Sequence, residues 1–259
     1  MSNLNNLAID TKRESHPKII FIDDFRNGNK SSKPKRESKR GQTSEVYAFN
    51  TKEDISKMIQ VFDKHIDEAE NNCQRQIAYR NKMLFIIGIN VGIRASDLRT
   101  LKWSFFFEKN ADGTLKNKDF YVLQPMKQRK QKKFVKLFFN QTVRHIIDSY
   151  VDEYPFENLD EYLFPSRKGD EPIEVRSLWR IIKRAAAEAG IEQNIGSHSL
   201  RKTFGFWIFH NAEDKNKALV ILQKIFNHSS TQTTMKYIGL LDNEIEETYN
   251  SINLGLEFL

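Results

Sequence analysis

Apolar positions recur at helical spacing soon after residue 50. Ile55, Met58, Ile59 and Phe62 share one face of a helix. Thr51 followed by Asp54 supplies a capping pair for its start, with Asp in place of the usual Glu. A second helix is predicted over 74–90. Its most apolar run, 83–93, is interrupted by Gly88, Asn90 and Gly92. That run is well short of the ~20 residues a membrane span needs, so it reads as a buried core helix. Gly92 ends it, and a short helix over 95–101 follows. The period then changes. Residues 120–123 and 134–139 read as two strands around a polar, basic turn. Further helices are predicted over 141–154, 175–189, 199–211, 218–226, 231–238 and 242–252. Pro165 and Gly169 mark a loop among them. The expected fold class is mainly α with a small antiparallel β-sheet (α+β), without internal repeats.

Composition narrows the classes. The chain has 259 residues, 39% of them hydrophobic, which suffices for one core and a small extra module. The net charge of +7 points to an anionic partner, and nucleic acid is the commonest. The single cysteine, Cys73, excludes an internal disulfide and a CxxC metal site. It fits a reducing cytosol, and no signal peptide is evident, so a cytoplasmic, non-membrane protein is expected. Residues 1–45 lack sustained periodicity. Within 26–40 they carry seven Lys or Arg and one Glu among Gly, Ser and Pro. Such a stretch cannot bury enough apolar surface to offset its ordering entropy. It reads as a flexible basic arm preceding a domain over 46–259. Lys35, Arg36, Lys39 and Arg40 are its candidate contacts to a phosphate backbone, and a plain solvated tail is the alternative.

Four short stretches carry candidate chemistry. In GIRASDL, residues 92–98, Arg94 opens a helix, and Asp97 three residues on is placed to orient it. An ordinary surface pair has the same spacing. The hairpin tip, 127–136, is positive at six of ten positions. Charges so close repel one another unless an anion lies nearby, which makes Arg129, Lys130, Lys132 and Lys133 candidate DNA contacts. His198 and Arg201, at i and i+3 of a helix start, share a face and can address one anion together. Finally, residues 226–237 place an Asn-His-Ser-Ser turn before a helix that carries Tyr237 near its end. A lone tyrosine is ordinarily just an aromatic.

In combination these stretches resemble the tyrosine recombinase (phage integrase) family. GIRASDLRTLKW is similar to its first arginine motif, including Leu98, Leu101 and Trp103. HSLRKTF is similar to HxLRHTF, with Lys202 where His is common. LQKIFNHSSTQTTMKY is similar to its LGHSS…TT…Y motif, with Asn227 in place of Gly. The resemblance covers residue 51 onward. It implies a site-specific recombinase or integrase, often of a mobile element, that acts on double-stranded DNA through a covalent 3′-phosphotyrosine. Tyr237 would be the nucleophile. Arg94 and Arg201 would grip the phosphate, and His198 would take the tyrosine proton. His228 would hydrogen-bond the phosphate, and a hairpin lysine would protonate the leaving 5′ oxygen. Lys127 sits at the family's position for that lysine, with Lys130 as the alternative. Lys202 joins the candidate DNA contacts. Because arginines and a lysine supply the positive charge, no metal and no cofactor is expected.

Family members commonly carry a helical core-binding domain ahead of the catalytic one. None is evident before Tyr47, which reads as a short form. The apolar tail (Leu254, Leu256, Phe258 and Leu259) implies docking on a neighbouring subunit in a tetramer on DNA, or packing on its own domain. Nucleoid association would follow from DNA binding. Two other classes stay open: a non-catalytic DNA-binding regulator on the same fold, and a type IB topoisomerase-like nicking-closing enzyme.

Overall fold

A computed structural model describes residues 45–127, 134–167, 169–240, 249 and 251. The chain divides into two compact units, Met1–Thr43 and Ser44–Leu259, and the described residues all belong to the second. The basic arm, the hairpin tip residues Arg129, Lys130, Lys132 and Lys133, the expected helix at 242–252 and the apolar tail lie outside this description, apart from the isolated positions 249 and 251.

Helices α1 (Lys52–Asp67) and α2 (Asn72–Val91) pair first. Thr51 Oγ1 accepts the amide of Asp54 at 3.0 Å, one half of the expected capping pair. Met58, Phe62 and Ile66 turn inward from α1. Helix α2 is the axis of the domain and packs on α1, α4 (Gln141–Glu153) and α6 (Ser197–Asn211). Its residues 83–88 are buried without a break, as a helix surrounded on all sides requires.

The end of α2 sets up everything that follows. Gly92 is left-handed, with φ of 67°, and a Cβ there would run into the Phe204 ring. Only glycine fits both constraints. The turn leads directly into α3 (Ala95–Leu98), for which Arg94 is the cap residue. Leu98, Leu101 and Trp103 of the first arginine motif are core residues, and Trp103 stacks on Phe156 at 4.8 Å.

Strands β1 (Phe107–Lys109) and β2 (Leu115–Asn117) form a hairpin that the sequence pattern did not announce, since β2 is exposed throughout. Strands β3 (Phe120–Leu123) and β4 (Val135–Phe138) form the expected one, with Phe120 opposite Phe138. Strands β5 (Pro165–Ser166) and β6 (Gly169–Pro172) pair where a plain loop was expected. The domain thus has three two-stranded antiparallel sheets among its described residues, not one.

Helix α5 (Val175–Glu188) packs on α1 and α6. Helices α7 (Lys215–Phe226) and α8 (Thr231–Ile238) complete the described fold. They form a second, smaller apolar cluster with the end of α6, built on Phe209, Leu219, Leu222, Phe226 and Ile238. Asn227 ends α7 in the left-handed region at φ of 51°. Asparagine is the residue that best tolerates this after glycine, which accounts for the departure from the family motif.

Candidate active site

Four structural junctions contribute side chains to one place: the α2–α3 turn, the base of the β3–β4 hairpin, the first turn of α6, and the α7–α8 turn with α8 itself.

Arg201 is the centre. It is 5% exposed, and two of its N–H groups are already engaged. Nη1 donates to the Gly92 carbonyl at 2.7 Å and Nη2 to the Phe226 carbonyl at 3.0 Å. These oxygens lie at the C-terminal ends of α2 and α7, where carbonyls lack helical partners and carry partial negative charge. The guanidinium also lies 4.3 Å from the centre of the Phe226 ring. Burial lowers its pKa to about 10, so it remains charged at neutral pH. A cavity beside it is lined by Arg94, Asp97 and Arg201, with Ile93, Leu123 and Pro125 among its apolar walls.

Asp97 does not pair with Arg94 as expected. It is 2% exposed, and its Oδ1 accepts the backbone amide of Met126 at 2.8 Å. Its negative charge also supports Arg201. The carboxylate therefore anchors the strand that leads into Lys127, one residue beyond Met126. Lys127 is exposed and close enough to His198 to act on its charge.

Both histidines titrate below their ordinary value. For His198 the first cause is burial, followed by the positive charges of Arg201, Lys127, Arg94 and Lys202. For His228 it is again burial, followed by Arg201 and Arg94. His228 is fixed by its Nδ1, 3.1 Å from Thr234 Oγ1, and by an edge-on contact with the Tyr237 ring at 5.2 Å. Thr234, fully buried, had no role in the sequence reading. The repeated threonine of the HSS…TT…Y motif was the available signal.

The Tyr237 hydroxyl is buried and has no hydrogen bond of good geometry among the described residues. Burial raises its pKa, while the charges of Arg201 and Arg94, and the loose contact of the hydroxyl with the Arg201 guanidinium, oppose that rise. The hydroxyl lies beside the Arg201 guanidinium without a well-aligned donor–acceptor pair, an arrangement that leaves it available to a reacting group.

Lys202 corrects the sequence reading. It is 8% exposed, and its ammonium binds Glu45 Oε1 at 3.1 Å. It points into the domain and is not available to a DNA backbone in this structure. No group of His, Cys, Asp and Glu suited to a metal ion occurs among the described residues, and no described helix is long and apolar enough to cross a membrane.

This fold, with arginines, histidines and a tyrosine in this order, is that of the tyrosine-type site-specific recombinases, a class of enzymes. The phage integrase family profile matches residues 50–244. The chain is 35% identical to a probable integrase/recombinase, YoeC of Bacillus subtilis, over 66% of this chain and 83% of that protein. It is 27% identical to the tyrosine recombinase XerH of Campylobacter jejuni over 73% of this chain, and spans 47% of that relative's length. Among solved structures, XerA recombinase superposes with a TM-score of 0.55 at 20% identity, over 80% of this chain and 65% of that one. XerH bound to palindromic difH substrate in a post-cleavage complex gives 0.54 at 21%, over 79% and 53%. At such identities the structural likeness is one of fold. The chain belongs to the phage integrase family.

Proposed function

We propose that this protein cuts and rejoins double-stranded DNA through a covalent 3′-phosphotyrosine on Tyr237, as a site-specific recombinase or integrase. The Tyr237 oxygen attacks the scissile phosphorus, a P–O bond to tyrosine forms, and the P–O5′ bond breaks. His198 accepts the phenol proton; its lowered pKa keeps it neutral and ready at pH 7. Arg94 and Arg201 hold the non-bridging oxygens through planar, paired donors. His228 donates to the same phosphate, and Lys127 protonates the departing 5′ oxygen. Rejoining is the reverse and needs no external energy source, because the phosphodiester's bond energy is kept in the tyrosyl ester. Double-stranded DNA is the partner, bound by a tetramer of this chain, with the basic arm and hairpin tip on phosphates. Cytoplasmic, nucleoid-associated placement follows.

The observation that carries this reading is the buried hydroxyl of Tyr237, unsatisfied yet within the field of both arginines. An incoming phosphate would take up the free arginine donors and meet the phenol in the same step. The test is a nicked suicide duplex carrying candidate sites. Wild-type protein should form a covalent protein–DNA adduct, and Tyr237→Phe should form none while binding DNA as tightly. Removing the unsatisfied hydroxyl should also leave Tyr237→Phe as stable as wild type, or up to about 1 kcal/mol more stable. DNA binding without adducts in the wild type would instead describe a regulator. Relaxation without joining of two sites would describe a nicking-closing enzyme.

A further inference from the structure

The site contains one charged pair that the proposed chemistry leaves unused. Lys202 follows Arg201 on α6, and its side chain is only 10% exposed. Its Nζ lies 5.8 Å from the centre of the Tyr237 ring and 3.1 Å from Glu45 Oε1. Glu45 belongs to the extended segment that enters the domain. The segment is bolted down beside the site: Asn194 Nδ2 donates to the Glu45 carbonyl, and Tyr47 N donates to the Asn194 carbonyl at 3.0 Å. Phe49 N donates to Thr203 Oγ1 at 2.9 Å, and Trp207 Nε1 to the Phe49 carbonyl at 2.9 Å. All four bonds reach the domain's far sequence, through three residues at α6 or just before it: Asn194, Thr203 and Trp207. Glu45 is therefore held where its carboxylate can fix the lysine, and its own side chain stays half in water.

We propose that Lys202 is a positioning residue for the nucleophile, with Glu45 as the counter-ion that sets its place and moderates its charge. The reading rests on the function proposed for Tyr237. A cation near the face of an aromatic ring is attracted by the ring's electron density, and more strongly once the phenol has lost its proton. Lys202 thus favours the tyrosine as it becomes an attacking oxygen more than it favours the resting phenol. That is the differential interaction which lowers a barrier. Glu45 acts in the opposite sense, since its negative charge offsets the ammonium. The other charged or titratable groups that act on Tyr237 or adjoin it are Arg201 on α6, Arg94 at the start of α3, His228 in the α7–α8 turn and Lys236 next to it on α8, and His198 feels the same two arginines and Lys202. Glu45 is the acid that directly pairs with Lys202. The charge balance at the ring face then depends on this pair in a way that two substitutions can push in opposite directions.

The experiment uses the full chain with Tyr237 replaced by 3,5-difluorotyrosine. Fluorine brings the phenol's titration into a range where the protein stays folded, and 19F NMR reads its ionisation without DNA. In the K202M variant the titration midpoint should rise by about half a pH unit, the size of a modest cation–π contribution. In E45Q it should fall. In K202R it should stay near the parent value. In parallel, with native Tyr237, adduct formation on saturating suicide duplex at fixed pH should slow about threefold or more in K202M. DNA half-saturation should not change, because Lys202 does not reach the backbone. Unmoved midpoints, or midpoints shifting the same way in K202M and E45Q, would overturn the proposal. If K202M does not fold, the downward shift in E45Q decides alone. If the parent protein forms no adduct on DNA, the proposed function fails, while the NMR titration still judges the Lys202–Glu45 pair.

Discussion

The two apolar clusters of this domain do different work. The larger one surrounds α2 and reaches from Phe49 to Leu200, with helices α1 to α6 and the hairpins contributing. It carries Arg94, Asp97 and the base of the β3–β4 hairpin, that is, the part of the site that receives charge. The smaller cluster has seven buried members on α6, α7, α8 and the residues just beyond. It carries His228 and Tyr237, the part that attacks. A small cluster excludes less apolar area from water and so opens locally at lower free energy. The receiving half is thus rigidly built and the attacking half lightly built. Arg201 joins them, with one N–H on the last carbonyl of each. A nucleophile that must advance on a phosphate and later release it is served by that arrangement.

Arg201 is the place to break the comparison with the largest effect. Arg201→Ala removes the link between clusters and leaves the Gly92 and Phe226 carbonyls unpaired. Each orphaned carbonyl costs on the order of 1–3 kcal/mol, so a total of about 2–6 kcal/mol of stability should be lost. Adduct formation should vanish with it. The informative readout is the shape of urea unfolding. Probes placed in α2 and in α8 should give coincident transitions in wild type and separate ones in the variant, with α8 melting first. Coincident transitions in Arg201→Ala would show that the two clusters are one cooperative unit without it.

Gly205 tests the smaller cluster by itself. It lies on α6 beneath α8, and a Cβ there would sit 2.6 Å from Ile238 Cγ2 and 2.9 Å from the Phe226 ring. Gly205→Ala should push α8 outward and cost about 1–3 kcal/mol, the usual range for overpacking. Cleavage should fall while DNA binding holds, because Tyr237 moves and the receiving half does not. An unchanged cleavage rate would mean that α8 already has room to shift.

Asp97 probes the receiving half. Asp97→Ala releases the Met126 amide and frees the strand leading to Lys127. The expected stability loss is about 1–3 kcal/mol, that of a hydrogen bond to a charged acceptor, while 5′ leaving-group departure should slow. Substrates with a 5′-thio leaving group, which need little protonation, should recover most of the rate. Failure of that rescue would detach Asp97 from the leaving-group side of the site.

The parts of this molecule that were legible in the sequence are those fixed by local chemistry. The capping pair at Thr51, the break at Gly92, strands β3 and β4 and the motifs at the α2–α3 turn, the start of α6 and the α7–α8 turn follow from neighbours within a few residues. What was not legible depends on partners far along the chain. Asp97 meets Met126 and Lys202 meets Glu45, and no spacing rule reports contacts across 29 or 157 positions. Lys202 looked like a DNA contact because lysine is usually exposed, and only the carboxylate of Glu45 makes its burial tolerable. The β1–β2 and β5–β6 hairpins were missed because β1, β2 and β5 have only two or three residues, too few to establish a period, and β6, Gly-Asp-Glu-Pro, has no apolar alternation.

The smallest expected effect is one of pH, and it distinguishes the halves by their histidines. His198 and His228 both titrate below the ordinary imidazole value of 6.5. Above 6.5 both are neutral in the folded and the unfolded chain, and the folded state keeps its full stability. As the pH drops below 6.5 the unfolded chain takes up protons first, so stability falls until the folded imidazoles also protonate. The urea midpoint of the DNA-free protein should therefore be lower at pH 5.5 than at 7.5. Because His228 is wedged between Thr234 and the Tyr237 ring, while the partly desolvated His198 ring still keeps an outer edge in water, His228→Gln should flatten this pH slope more than His198→Gln. DNA should act in the reverse sense, since a phosphate in the site favours the protonated rings, and affinity should strengthen over the same pH interval. A slope carried mainly by His198 would mean that the attacking half is already open to water at its turn, and the division between a rigid receiving cluster and a lightly built but sealed attacking one would have to be redrawn.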